Sequence, residues 1–130
     1  MKARFGIIEV PRSIASAIDN AKLAERVGFD WFGVADSQSL FRELFVTLGV
    51  IGGATGRVMI GPSVTNPLTR HPAVMASAIA SVQEIAGGRA MLGIGTGDSA
   101  IYNLGQRPGG LAGLREYILA LRALLRGGLA

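Results

Sequence analysis

Residues 61–77 read GPSVTNPLTRHPAVMAS. An apolar run ends at Gly61, and six polar side chains follow in quick succession: Ser63, Thr65, Asn66, Thr69, Arg70 and His71. Pro72 then opens a stretch in which Met75, Ala78, Ile79, Val82 and Ile85 recur at helical spacing up to Gly87–Gly88. Proline suits the first helical turn, where its missing N–H has no intrahelical partner to lose. The stretch is therefore one strand, a polar loop and one helix, which is a βα unit.

The same phrase occurs four times along the chain. Apolar runs at residues 4–8, 31–35, 58–61 and 90–94 are too short for helices. They mostly lack the alternation of a half-solvated strand, as expected for parallel strands covered on both faces. The first helix starts after Ser13, which can cap it, buries Ile14, Ala17, Ile18, Ala21 and Ala24, and stops at Gly28. The second is expected to follow Ser39 and run to about Gly52, with Leu40, Leu44, Leu48 and Ile51 on one stripe. The last runs from about Leu111 through Leu114, Ile118, Leu121 and Leu125 to Gly127. Consecutive βα units make either an open doubly wound sheet or part of a parallel (β/α) barrel.

Composition narrows the chemistry. The chain has 130 residues, 49% hydrophobic and 17% charged, which suits one globular domain rather than a disordered segment. With no cysteine, disulfides, thiolate metal sites and a cysteine nucleophile are excluded, and no metal site is expected. The apolar start is interrupted by Glu9, Pro11 and Arg12 before it reaches signal-peptide length, so a cytoplasmic protein is expected. Residues 44–54 have about half the length of a membrane span, so no membrane association is expected. Net charge is +4, but the basic residues are scattered singly from Lys2 to Arg126, without the patch that nucleic-acid binding requires.

In either architecture a ligand lies over the carboxyl ends of the strands. The residues that follow the four runs are Glu9 and Val10; Asp36 and Ser37; Ser63, Val64, Thr65 and Asn66; and Gly95, Thr96, Gly97 and Asp98. Hydroxyls, amides and carboxylates converge on one rim. Each also has a structural reading. Asp36 suits a helix cap or an ion pair, while Ser63, Thr65 and Asn66 suit turn amides. His71 suits helix capping, and Arg70 suits orienting its turn. Gly93, Gly95 and Gly97 follow a G-x-G-x-G spacing with no helix opening at once, so they do not meet the dinucleotide fingerprint.

The stretches VTNPLTRHP (64–72) and GGRAMLGIGTGD (87–98), with GFDWFGVAD (28–36) and LREYILALRALLRG (114–127), resemble the luciferase-like superfamily of flavin- and deazaflavin-dependent oxidoreductases. The resemblance is to its coenzyme F-420 branch, which includes methylenetetrahydromethanopterin reductase-like enzymes. It implies a TIM-type (β/α)8 barrel of which residues 1–130 are the N-terminal half, about four βα units. It implies hydride transfer between coenzyme F-420 and a small-molecule substrate, with FMN as the alternative cofactor of the superfamily's monooxygenases. It further implies a non-prolyl cis peptide, here Ser63–Val64, at the end of the third strand. By the same match, Asp36, Ser63, Val64, Thr65 and Gly97 bind the cofactor and Asp98 stands at its reactive face as the catalytic residue. One departure is Ser37, where many F-420 enzymes of the family carry a histidine implicated in catalysis.

A closed barrel takes about 250 residues. Four units leave open strand edges, with Val58, Ile60, Met91 and Ile94 expected to face the absent wall. A homodimer, or continuation into a C-terminal half, is expected to complete the barrel, and a non-catalytic cofactor-binding half-barrel is the third reading.

Overall fold

In the computed structural model, which describes residues 3–127, three of the four apolar runs are strands. The ends of the expected unit, residues 1–2 and 128–130, lie outside the described residues. The elements are β1 (Gly6–Glu9), α1 (Ile14–Val27), β2 (Trp31–Val34), α2 (Leu44–Ala54), β3 (Met59–Pro62), α3 (Pro72–Ile85), the single-turn α4 (Ser99–Tyr102) and α5 (Leu111–Leu125). The strands form one parallel sheet in the order β1-β2-β3. Gly6 stands opposite Trp31 and Trp31 opposite Met59, while Ile8, Gly33 and Gly61 make the row two residues further on.

Three helices begin or end where local chemistry directs. Ser13 caps α1 by accepting from Ser16 N at 3.1 Å, and Gly28 ends it with φ +94°, a conformation that favours glycine. Pro72 opens α3 behind His71, whose Nδ1 accepts from Ala73 N at 3.2 Å. Helix α2 differs from the expectation: it starts at Leu44, not after Ser39. Ser39 is in a left-handed turn at φ +68°, and the Ser37 carbonyl accepts from Leu40 and Phe41 N–H. The cap is Glu43, whose carboxylate accepts from Val46 N at 2.8 Å. Leu40, outside the helix, is therefore exposed.

Helices α1, α2 and α3 cover one face of the sheet. Ala17, Ala21 and Ala24 pack with Phe32, Val34, Leu44, Leu48, Ile51, Val58, Ile60, Ile79 and Val82 in one core. Burying these side chains supplies the main driving force for folding. A second cluster, Met75, Ala76, Tyr117 and Leu121, joins α3 to α5. The other face carries no helix among the described residues. There the Trp31 ring covers the places where Gly6 and Gly33 would carry side chains, and Met91 lies against Gly61. Helices on one face of a parallel sheet only, as among the described residues, match the outer layer of a (β/α) barrel wall rather than a doubly wound sheet, and the second cover expected for the strands is not among those residues.

That geometry corrects the facing expected for several residues. Val58 and Ile60 are fully buried against the helices, and Ile94 packs against the α3–α5 cluster. Of the four residues expected to face inward, only Met91 lies on the helix-free face. The run 90–94 is also not a regular strand. It bonds to β3 and beyond through Met91 N to Ile60 O, Gly93 N to Pro62 O, Thr65 N to Gly93 O and Gly95 N to Thr65 O. The bridges Ile60–Ala90 and Thr65–Ile94 set five residue steps against four, so one extra residue bulges out of the ladder at Ser63–Val64.

Candidate functional site

The bulge positions the site. Ser63 N still bonds to Val34 O at 2.8 Å, Thr65 N already bonds to Gly93 O at 3.0 Å, and the Ser63–Val64 peptide between them is cis. Val64 is thereby turned out of the sheet and is 53% exposed, an apolar side chain at the carboxyl end of the strands. It rests on Gly93 and Gly95, where added Cβ atoms would lie 3.1 and 3.4 Å from its methyl carbons. The G-x-G-x-G residues thus serve close packing. Gly93 also abuts the Pro62 carbonyl, and Gly97, at φ +99°, has no room for a Cβ beside Ile101.

Around Val64 lies a cleft of about 250 Å³, lined by Asp36, Thr65, Asn66, Gly95, Thr96, Gly97, Asp98 and Ala100 as well. Of the six residues singled out in the sequence, Asp36, Val64, Thr65, Gly97 and Asp98 meet here, while Ser63 sits beside it on the inner face over Gly33. Asn66 is buried and its Oδ1 accepts from Leu68 N and Thr69 N, both at 3.0 Å, so it shapes the loop. Asp98 is exposed, and its Oδ1 accepts from the Ser99 hydroxyl at 3.1 Å. Ser37 is buried, and its hydroxyl lies 2.6 Å from that of Ser99, which links the second and fourth loops.

Asp36 is 8% exposed and heavily bonded. Its Oδ2 accepts from the Thr65 hydroxyl at 2.7 Å and from Arg70 Nη1 at 2.6 Å. Its Oδ1 accepts from Gln38 Nε2 at 2.9 Å and from Arg70 Nη2 at 3.4 Å. Arg70 Nη2 also donates to Glu43 Oε1 at 2.8 Å, and the guanidinium lies over the Phe45 ring, 5.1 Å from its centroid. The Tyr117 hydroxyl donates to the Arg70 carbonyl at 2.8 Å. Burial works against the charge of Arg70, but the hydrogen bonds and charge of Asp36, then those of Glu43, outweigh it and raise its pKa. Burial raises the Tyr117 pKa, opposed by the charge of Arg70.

Sequence reading left Arg70 as a turn residue and did not single out Glu43, Phe45 or Tyr117 as neighbours of the site. No local spacing joins Arg70 to partners 34, 27 and 47 residues away. Among the described residues, no group of three or more His, Cys, Asp and Glu side chains could hold a metal ion. No helix among them is long and apolar enough to cross a membrane.

An open cleft of this volume falls below the roughly 300–1,000 Å³ of a complete small-molecule pocket. It has an apolar platform, Val64, with polar groups at its edges. That combination fits the face and edge of a flat conjugated ring and leaves the rest of such a molecule to other residues.

The profile of the luciferase-like monooxygenase family matches residues 3–129. The 5,10-methylenetetrahydromethanopterin reductase of Methanolobus tindarius is 41% identical over 128 residues, covering 95% of this chain but 38% of that protein. Among solved structures, the coenzyme F-420 dependent tetrahydromethanopterin reductase of Methanopyrus kandleri superposes with a TM-score of 0.85 at 28% identity, over 93% of this chain and 40% of that one. The oxygenating constituent of 3,6-diketocamphane monooxygenase from Pseudomonas putida, in complex with FMN, superposes with a TM-score of 0.78 at 25% identity, over 95% and 40%. The chain thus spans about two fifths of the length of these relatives.

Proposed function

The chain belongs to the luciferase-like monooxygenase family, and from that premise we propose that it is the N-terminal half of a (β/α)8 barrel oxidoreductase. On this reading the enzyme transfers a hydride between coenzyme F-420 and a small organic substrate. The observation that carries the reading is the Val64 platform, raised at the strand ends within a rim of polar groups. The one-sided helix layer supports the barrel. The remaining wall comes from a second copy of the chain or from its continuation, and β1, bonded only to β2, is one edge it would meet.

Bound at the rim, the coenzyme would supply the hydride chemistry. The chain's own residues do the rest. Val64 would support a face of the ring and keep water from it. Asp36, Ser63, Thr65 and Gly97 form the wall that orients the ring, and a rigidly held ring is what hydride transfer requires. Asp98 is the titratable side chain at the exposed edge of the cleft, oriented by Ser99, which Ser37 holds in turn. It serves as the group that holds or passes a proton at the substrate. Ser37, whose buried hydroxyl bonds that of Ser99, orients its neighbours.

The experiment is a parallel titration of the full chain with coenzyme F-420 and with FMN, read by ring fluorescence. Saturation by F-420 in preference to FMN is expected, and Val64→Asp is expected to weaken it at least tenfold while leaving the melting temperature nearly unchanged. Preference for FMN moves the assignment to the flavin monooxygenases, which the similarity to the FMN-bound structure supports. Binding without turnover of any reductant favours a non-catalytic cofactor module, and binding of neither compound overturns the reading.

A further inference from the structure

We propose that Arg70 is a positioning residue for the cofactor cleft, and that Asp36 acts through it as a brace rather than as an acceptor for the bound ring. The inference rests on the cofactor reading above and deepens it. A carboxylate offers about four acceptor positions. In Asp36 all four are taken: Thr65 and Arg70 Nη1 on Oδ2, Gln38 and Arg70 Nη2 on Oδ1. None remains for a ring N–H. The carboxylate instead fixes the direction of the Thr65 hydroxyl, and Thr65 adjoins the Val64 platform in the chain.

Arg70 gives that arrangement its frame. Its side chain joins the loop after β2 through Asp36 to the start of α2 through Glu43 and Phe45, while its backbone carbonyl, which accepts from the Tyr117 hydroxyl, ties the same residue to α5. A guanidinium can do this because its planar fork reaches two carboxylates while its face lies on an aromatic ring. The ammonium of lysine is a point donor and cannot hold Asp36 by two nitrogens while also bonding Glu43. Deleting the cation would leave the Asp36 carboxylate buried without its charge partner, an arrangement proteins avoid. The brace therefore requires arginine at this position, and loosening it moves Thr65 and Val64 before it unfolds the chain.

The test uses the full chain and three variants: Arg70→Lys, Arg70→Met, and Arg70→Met combined with Asp36→Asn. Each is measured by thermal melting, by titration with coenzyme F-420 and FMN, and by the amide NMR signals of Val64, Thr65 and Asn66. Arg70→Lys is expected to melt within a few degrees of wild type, to shift those three signals and to lose at least tenfold in affinity. Arg70→Met is expected to melt lower, and the double variant to recover much of that loss, because no buried unpaired carboxylate remains and Glu43 is left in solvent, without recovering affinity. The proposal is overturned if Arg70→Lys titrates like wild type, or if affinity simply follows melting temperature across the three variants. A wild-type chain that binds neither compound overturns the cofactor reading and this proposal together. Wild-type binding with an unchanged Arg70→Lys titration overturns this proposal alone.

Discussion

Replacing Gly97 by alanine tests whether the fourth loop is as tightly set as its packing implies. Gly97 has φ +99°, and an added Cβ would lie 2.5 Å from Ile101 Cγ1 and 3.5 Å from the Asn66 Cβ. A non-glycine residue in such a backbone region costs about 1–3 kcal/mol. Overfilling a packed site costs about 1–3 kcal/mol more. Ile101 is fully buried and cannot swing into solvent. It sits on the one-turn α4, which can shift as a unit and relieve part of the clash, so the expected loss is about 2–4 kcal/mol. The internal control is Gly113→Ala in α5, where an added Cβ meets nothing within 4 Å. There, helix propensity favours alanine, and a gain of about 0.5 kcal/mol is expected. Urea unfolding of both variants reads the difference directly from the midpoints. If Gly97→Ala lies within 1 kcal/mol of wild type, or if both glycines respond alike, the packing argument for the loop fails. Because the same displacement moves Thr96 and Asp98, Gly97→Ala is also expected to weaken coenzyme binding in the titration.

Two further outcomes follow from other parts of the structure. Glu25 at the end of α1 accepts from the backbone N–H groups of Gly56, Arg57 and Val58, the last at 2.9 Å. Burial opposes its charge, but those three bonds and the Arg57 charge hold its carboxyl below the ordinary value. A depressed folded pKa stabilises above the unfolded value near 4.3 and loses that contribution as pH falls through the folded value. Glu25→Gln is therefore expected to cost about 1 kcal/mol at pH 7. The gap in melting temperature should close as pH falls below the unfolded value and through the lower folded one, and a pH-independent gap would refute the carboxylate's role. On the helix-free face, Ile8 is 53% exposed and Met59 37%, and β1 has an open edge. Open edges and apolar faces drive association. Light scattering at micromolar concentration should show a dimer or larger species, and a monodisperse, cooperatively melting monomer would count against the half-barrel reading.

Much of this protein was legible in its sequence because the signals are local. Ser13, Gly28 and Pro72 set helix ends through groups within four residues of themselves, and periodicity marks the buried faces of α1 and most of that of α3, whereas of the stripe read on α5 only Leu121 is buried, beside Tyr117, and Leu111 and Leu125 are exposed. The resemblance on VTNPLTRHP located the cis peptide at Ser63–Val64. Where local signals compete, they mislead. Ser39 offered a cap as plausible as Ser13, but the turn closed by the Ser37 carbonyl and the bond from Arg42 N to Pro11 O postpone the helix to Glu43. Which side of a strand meets the helices is decided by docking, since a short, continuously apolar run does not distinguish its two faces. Only the packed core shows Val58 and Ile60 turned toward α2 and α3. The break in pairing at residues 90–94 depends on the register of two segments about 30 residues apart. The brace around Asp36 lies furthest from any local pattern. Asp36, Glu43, Arg70 and Tyr117 each read as an ordinary polar or helical residue, and they become one unit only because the sheet, α2 and α5 carry them together around Arg70, two through its mostly buried guanidinium and Tyr117 through its carbonyl.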